Sequence, residues 1–226
     1  IYWLIQMWTQ KEESVLIMPP VYYPFFNSIK ETGRQLVECP LLKEDEHYKM
    51  DIELFKNKIL TENVKVFILC SPHNPVGRVW TKKELQAVLD ICKKYGVYVI
   101  ADEIHQDIIM SGYEKVTAAT CGNYDDYLIT LTSASKSFNI AGFQCAYAII
   151  PNNKMREDYD RLAKKLHFTE GNSFSYIATQ AVYEHGRPWL ESVCNIVENN
   201  YYYFGKYFSF DFGYFDISLV KIKTLS

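Results

Sequence analysis

The stretch Val97-Tyr98-Val99-Ile100-Ala101-Asp102-Glu103-Ile104-His105 decides the fold. Its first five residues are β-branched, aromatic or small and apolar, with no polar alternation. That pattern describes a strand buried on both faces, as in the middle of a parallel sheet. Polar character then arrives all at once, in Asp102, Glu103 and His105. Ligands of open α/β sheets collect outside the C-terminal ends of the strands, so this strand delivers a carboxylate to such an end.

Two other strands finish in the same manner. Val66-Phe67-Ile68-Leu69 runs into Cys70-Ser71-Pro72-His73-Asn74-Pro75-Val76-Gly77-Arg78. Asn-Pro followed by Gly marks a sharp turn, and the Asn amide can donate to a phenolate oxygen. Tyr127-Leu128-Ile129-Thr130-Leu131 runs into Thr132-Ser133-Ala134-Ser135-Lys136-Ser137-Phe138-Asn139. There an amine sits among small hydroxyl residues. Each cluster has a plain structural reading: a turn, an Asp capping a helix that begins at 103, a solvated lysine in a Ser-rich turn. Together they read differently. The amine suits a carbonyl, the hydroxyls suit a phosphate, and the carboxylate can keep a pyridine nitrogen protonated. Asn, Asp and Lys at three strand ends therefore describe a pyridoxal phosphate site.

Around these strands the pattern alternates. Helices are predicted at 1–11, 24–32, 51–60, 82–95, 153–167, 174–185 and 189–208, and strands at 14–18, 34–39, 65–70, 97–101, 127–132 and 144–150. Thr81-Lys82-Lys83-Glu84 reads as a capping box, Gly96 as the matching C-cap, and Pro188 as a first-turn proline. Such alternation predicts an α/β, three-layer architecture, a mostly parallel sheet covered by helices. With 226 residues and 48% hydrophobic content, the chain can bury one sizeable core.

The formal charge of −3 gives no electrostatic footprint for nucleic acid or for an anionic membrane surface. No apolar run approaches the roughly 18 residues needed to span a bilayer. Cys39, Cys70, Cys92, Cys121, Cys145 and Cys194 are scattered with no CxxC pair, which predicts free thiols and a cytoplasmic location. His47, His73, His167 and His185 lack partners at ligand spacing, so no metal site is expected.

The segments PPVYYPFF (19–26), SPHNPVGRVW (71–80), VIADEIH (99–105) and SASKSFNIAGFQ (133–144) together carry a resemblance. The sequence resembles a fold-type I pyridoxal phosphate enzyme of the class I/II aminotransferase superfamily, most of all its cystathionine β-lyase-like (C–S lyase) subgroup. The resemblance implies pyridoxal 5′-phosphate as cofactor and Lys136 as its Schiff-base lysine, the catalytic residue. It implies that Asp102 pairs with the pyridinium nitrogen, that Asn74 donates to the phenolic oxygen across a cis Asn74–Pro75 bond, and that His105 approaches the same oxygen. It further implies that Tyr22 stacks on the ring, with Tyr23 as the alternative, and that Ser133 and Ser135 bind the phosphate. Glu103 is expected to face away, into a helix or solvent. Gln144 stands where many aminotransferases carry a phosphate-binding arginine. Gln144 and His105 together favour a lyase, acting on cystathionine or a related cysteine thioether by α,β-elimination to thiol, pyruvate and ammonia.

The same resemblance implies that residues 1–208 are the cofactor-binding large domain, lacking the family's N-terminal segment. Residues 209–226 would then be the start of a small C-terminal domain or an aberrant end. A homodimer is implied as well. Two alternatives stay open, and a third fails. An aminotransferase would share every residue named. A catalytically inactive fragment would keep the fold as a scaffold. A helicase DExH box, matched by Asp102-Glu103-Ile104-His105, requires a Gly-x-x-x-x-Gly-Lys-Ser/Thr loop that the chain does not contain.

Overall fold

The computed structural model describes residues 1–44, 47–167 and 171–207, the side chains of 205–207 excepted. The elements run α1 (Tyr2–Trp8), β1 (Ser14–Ile17), α2 (Pro24–Glu31), β2 (Gln35–Glu38), β3 (Leu42–Glu44) and β4 (His47–Lys49). Then come α3 (Ile52–Thr61), β5 (Val64–Cys70), α4 (Lys82–Tyr95), β6 (Tyr98–Asp102), β7 (Leu128–Thr132) and α5 (Ala134–Ser137). The chain continues through β8 (Tyr147–Ile149), α6 (Asn153–Lys165), α7 (Ser173–His185) and α8 (Arg187–Tyr207).

Six strands form one sheet in the order β2-β1-β5-β6-β7-β8, parallel except for the antiparallel pair β7–β8. Alternate residues of each strand feed two separate cores. On one face Leu16, Phe67, Leu69, Val99 and Ala101 pack with Phe55 and Ile59 of α3 and Leu85, Val88 and Leu89 of α4. On the other, Val15, Ile17, Val66, Ile68, Ile100 and Ile129 pack with Leu4 and Ile5 of α1, Phe25 and Ile29 of α2, and Met155 of α6. Both faces are dry. That is why the strands read as unbroken apolar runs, and the three-layer α/β reading holds.

The cap signals appear where the sequence puts them. Thr81 and Glu84 close a capping box, and Gly96 ends α4 in the left-handed region at φ 69°. Other boundaries differ. The first helix stops at Trp8 because Thr9 turns extended and its carbonyl and hydroxyl are taken by the Arg34 guanidinium. The last strand begins at Tyr147, because 141–143 form a 3₁₀ turn that ends on Gln144 at φ 52°. No helix begins at 103. The hairpin β3–β4 was not predicted at all, being two three-residue strands with almost wholly exposed side chains. The expected tail 209–226 lies outside the described residues.

Candidate active site

Register brings the site together. Cys70 at the end of β5 lies beside Asp102 at the end of β6, and Asp102 lies beside Leu131 of β7. The turns carrying Asn74, Asp102 to His105, and Lys136 therefore emerge side by side at one edge of the sheet. The Pro19–Tyr22 turn after β1 joins them. β1 is flanked by β2 on one side and β5 on the other, so the chain leaves β1 in one direction and returns in the other. Such a switch in strand order opens a crevice at the C-terminal edge.

Asp102 is the electrostatic centre. Its Oδ1 accepts the Ile104 N–H at 3.2 Å, in a turn rather than a helix cap. Burial pushes its carboxyl above the ordinary carboxylate range, while the Ile104 N–H and, to a smaller extent, the Lys136 ammonium pull it back. Its charge also reaches Tyr22, whose phenol is pushed up by burial first, then by Tyr23 and by Asp102. Tyr22, Asp102 and Lys136 thus share one field. Tyr22 is 40% exposed, set edge-on to Phe25 at 5.7 Å, whereas Tyr23 is 71% exposed.

The Asn74 turn is held from several sides. The Asn74–Pro75 bond is cis. The Asn74 N–H donates to Cys70 Sγ at 3.3 Å, and the Trp80 indole donates to the Cys70 carbonyl at 2.9 Å. His73, buried and edge-on to Trp80, bonds through Nε2 to the Pro20 carbonyl at 3.0 Å. Burial drives its ring down to about 4, so it is neutral and donates there as an Nε2–H tautomer. This bond ties the turn carrying Asn74 to the turn carrying Tyr22. Sequence reading considered His73 only as a metal ligand. Its position between two prolines and a buried Trp was the available signal.

Lys136 is exposed, on the single turn of α5. Ser133 caps that turn by accepting the Ser135 N–H at 3.0 Å, and its own hydroxyl donates to the Cys145 carbonyl. A phosphate-binding role requires that proton to swing away from Cys145. Ser135 is half-buried, and its carbonyl accepts the Ile140 N–H at 3.1 Å. His105 is buried in the turn after β6, where its carbonyl accepts the Ile108 N–H at 3.1 Å. Glu103 faces away from solvent, onto the start of the 3₁₀ helix Ala118–Thr120. It is buried, accepts the Ala118 N–H at 2.7 Å, and is pushed up by burial to about 7. Sequence reading also missed Gln106, which donates to Thr132 Oγ1 at 2.8 Å, and Asp107, which accepts from Ser137 Oγ at 2.9 Å. Their partners lie 26 and 30 residues away, beyond any local pattern.

The donor set fits pyridoxal phosphate in its chemistry. It offers an accessible amine for a carbonyl, a desolvated carboxylate that favours a cation, an amide donor, and an open aromatic face.

Comparison with known proteins agrees. Residues 1–196 match the family described as aminotransferase class I and II. Cystathionine beta-lyase PatB of Bacillus subtilis is 34% identical over 197 residues, covering 87% of this chain and 51% of that protein. Pyridoxal 5′-phosphate-containing cystalysin of Treponema denticola superposes with a TM-score of 0.86 at 36% identity, covering 88% of this chain and 51% of that one. The pyridoxal phosphate-bound C–S lyase of Staphylococcus hominis gives 0.86 at 35% identity, covering 91% and 52%. The chain spans about half the length of the curated relatives it matches. A family match across most of the chain, over a sheet edge that gathers Asn74, Asp102 and Lys136, makes this chain a member of the aminotransferase class I and II family.

Proposed function

We propose that the chain is the cofactor-binding large domain, residues 1–208, of a pyridoxal phosphate-dependent carbon–sulfur β-lyase acting on cystathionine or a related cysteine thioether. The observation that carries this reading is the strand register that gathers exposed Lys136, half-buried Asp102 and Tyr22 at neighbouring strand ends. Bound there, the cofactor supplies a carbonyl for amines and an electron sink for the carbanion. Lys136 would hold it through Nζ. Asp102 would keep a proton on the ring nitrogen. Asn74 and His105 would serve its phenolic oxygen, Tyr22 its ring, and Ser133 and Ser135 its phosphate.

In the reaction Lys136 Nζ, freed once the substrate amine has displaced it, would remove the substrate α-proton as a positioned base. The electron pair left on the α-carbon expels the β-thiolate, and the remaining three-carbon unit hydrolyses to pyruvate and ammonia. An aminotransferase would use the same residues, and the family match supports that second reading. Gln144 and His105, in places where transaminases commonly differ, support the lyase. Among the described residues no helix is long and apolar enough to cross a membrane. All six cysteines are free, which suits the reducing cytoplasm. A homodimer belongs to the same proposal by resemblance.

The test has two stages. Pyridoxal phosphate added to the protein gives a visible absorbance band that Lys136→Ala abolishes. Pyruvate and ammonia then appear from cystathionine without any keto-acid acceptor. Turnover only when a keto acid is supplied would favour the aminotransferase. The absence of a Lys136-dependent band would leave a non-catalytic scaffold.

A further inference from the structure

A four-residue helix cannot hold its own orientation, because one turn fixes several dihedral angles for very few hydrogen bonds. α5 is such a helix, and it carries Lys136. Its N-terminal end is capped by Ser133. Its C-terminal end is held from outside: buried Ser137 donates through Oγ to Asp107 Oδ2 at 2.9 Å. The other oxygen of Asp107 is paired with Lys115 at 3.1 Å, which holds the carboxylate from its far side. Asp107 lies five residues beyond Asp102 in the same loop, and the neighbouring Gln106 fastens that loop to Thr132. The loop that presents the carboxylate therefore also sets the turn that presents the amine.

Resting on the pyridoxal phosphate reading above, we propose that Asp107 is a positioning residue for Lys136, acting through the hydroxyl of Ser137. It touches neither substrate nor cofactor. Its function is to fix the spacing between the Lys136 amine and the Asp102 carboxylate.

The experiment follows the Lys136-dependent visible band as pyridoxal phosphate is titrated, with borohydride trapping and peptide mapping to score attachment at Lys136 against other lysines. Ser137→Ala and Asp107→Ala each weaken binding about tenfold, the loss of one charge-assisted hydrogen bond, and divert trapping to other lysines. Because the two act as one unit, the double variant is no weaker than either single one. Ser137→Thr, which keeps the donor, stays within about twofold of wild type, and Asp107→Asn, which keeps an acceptor without the charge, loses less than Asp107→Ala. Unchanged single variants, or a double variant about a hundredfold weaker, overturn the proposal. Should the alanine variants fail to fold, Ser137→Thr and Ser137→Val, alike in size with and without the hydroxyl, decide. An approximately tenfold gap supports the proposal and equal affinity overturns it. A wild-type protein with no Lys136-dependent band sinks the cofactor reading itself, and this proposal with it, before any variant at 107 or 137 is made.

Discussion

The turn after β5, which carries Asn74, and the turn after β7, which carries Lys136, sit at the same edge of the sheet but are secured in different ways. The first is closed largely on itself. His73 N–H donates to the Arg78 carbonyl and Gly77 N–H to the His73 carbonyl, both at 2.8 Å. Trp80 is buried beneath, with the Arg78 guanidinium 4.8 Å over its ring and paired to Glu84. The second is held from far along the chain. Its ties run to Asp107, to Cys145, and to the α7–α8 corner, where Phe138 packs on Tyr183 at 6.0 Å and Trp189 at 6.1 Å. Contacts within residues 70–84 set most of the place of the amide donor, with one distant tie from His73 to the Pro20 carbonyl. The place of the amine depends on contacts that form only once much of the chain has folded, and the α7–α8 pair supplying them leaves Phe174 at 72% and Ile177 at 66% exposure.

The sharpest test of this contrast removes one aromatic from each side. Trp80→Ala should cost about 3–5 kcal/mol, because it empties a fully buried site and leaves the Cys70 carbonyl without its indole donor. Phe138→Ala, at a half-buried ring, should cost no more than about half of that in chemical denaturation. Equal costs would erase the distinction.

Glu103 gives the next largest effect. Its folded value of about 7 lies above its ordinary 4.5, so the folded protein keeps a proton that the unfolded chain has already lost. The stability it contributes is complete below about 4.5 and is lost as pH rises through about 7, a fall of about 3 kcal/mol. Glu103→Gln keeps an oxygen for the Ala118 N–H and should flatten that slope, measured as denaturation midpoints at about pH 5 and about pH 8. A slope unchanged in the variant would assign the pH dependence elsewhere.

A smaller push acts on the Lys136 side alone. A methyl at Gly186 would lie 2.5 Å from the Val182 carbonyl oxygen and 2.6 Å from the Phe138 ring. Gly186→Ala should therefore cost about 1–3 kcal/mol and raise amide exchange in residues 134–144, with the Asn74 turn undisturbed. Smallest of all, Thr81→Ala should lose about 1 kcal/mol from the α4 cap and leave the Lys136-dependent absorbance intact. A loss of that band would mean that the two turns are coupled after all.

What the sequence made legible follows the same division. Asp102 and Asn74 were readable because a buried strand ends abruptly in polar residues, and a strand end in an α/β sheet has a known address. Lys136 was readable by its neighbours, but the one-turn helix beneath it was not, since four residues carry no periodicity. The tie from His73 to Pro20 spans 53 residues and the tie from Asp107 to Ser137 spans 30. Neither leaves a trace in local composition. The β3–β4 hairpin escaped for another reason: its side chains are nearly all exposed, so no apolar alternation marks it.

The buried cysteines have a practical consequence. Cys39, Cys70 and Cys92 are shut away in the two cores, and burial pushes the Cys39 thiol up to about 12 and the other two further still. Thiolate is the form that alkylating reagents attack, so these sulfurs stay silent until the structure around them opens. One follows β2, one touches the Asn74 turn, and one sits on the buried face of α4. They are built-in clocks, set in three different places, that a thiol reagent and a mass spectrometer can read one by one as each part of the sheet breathes.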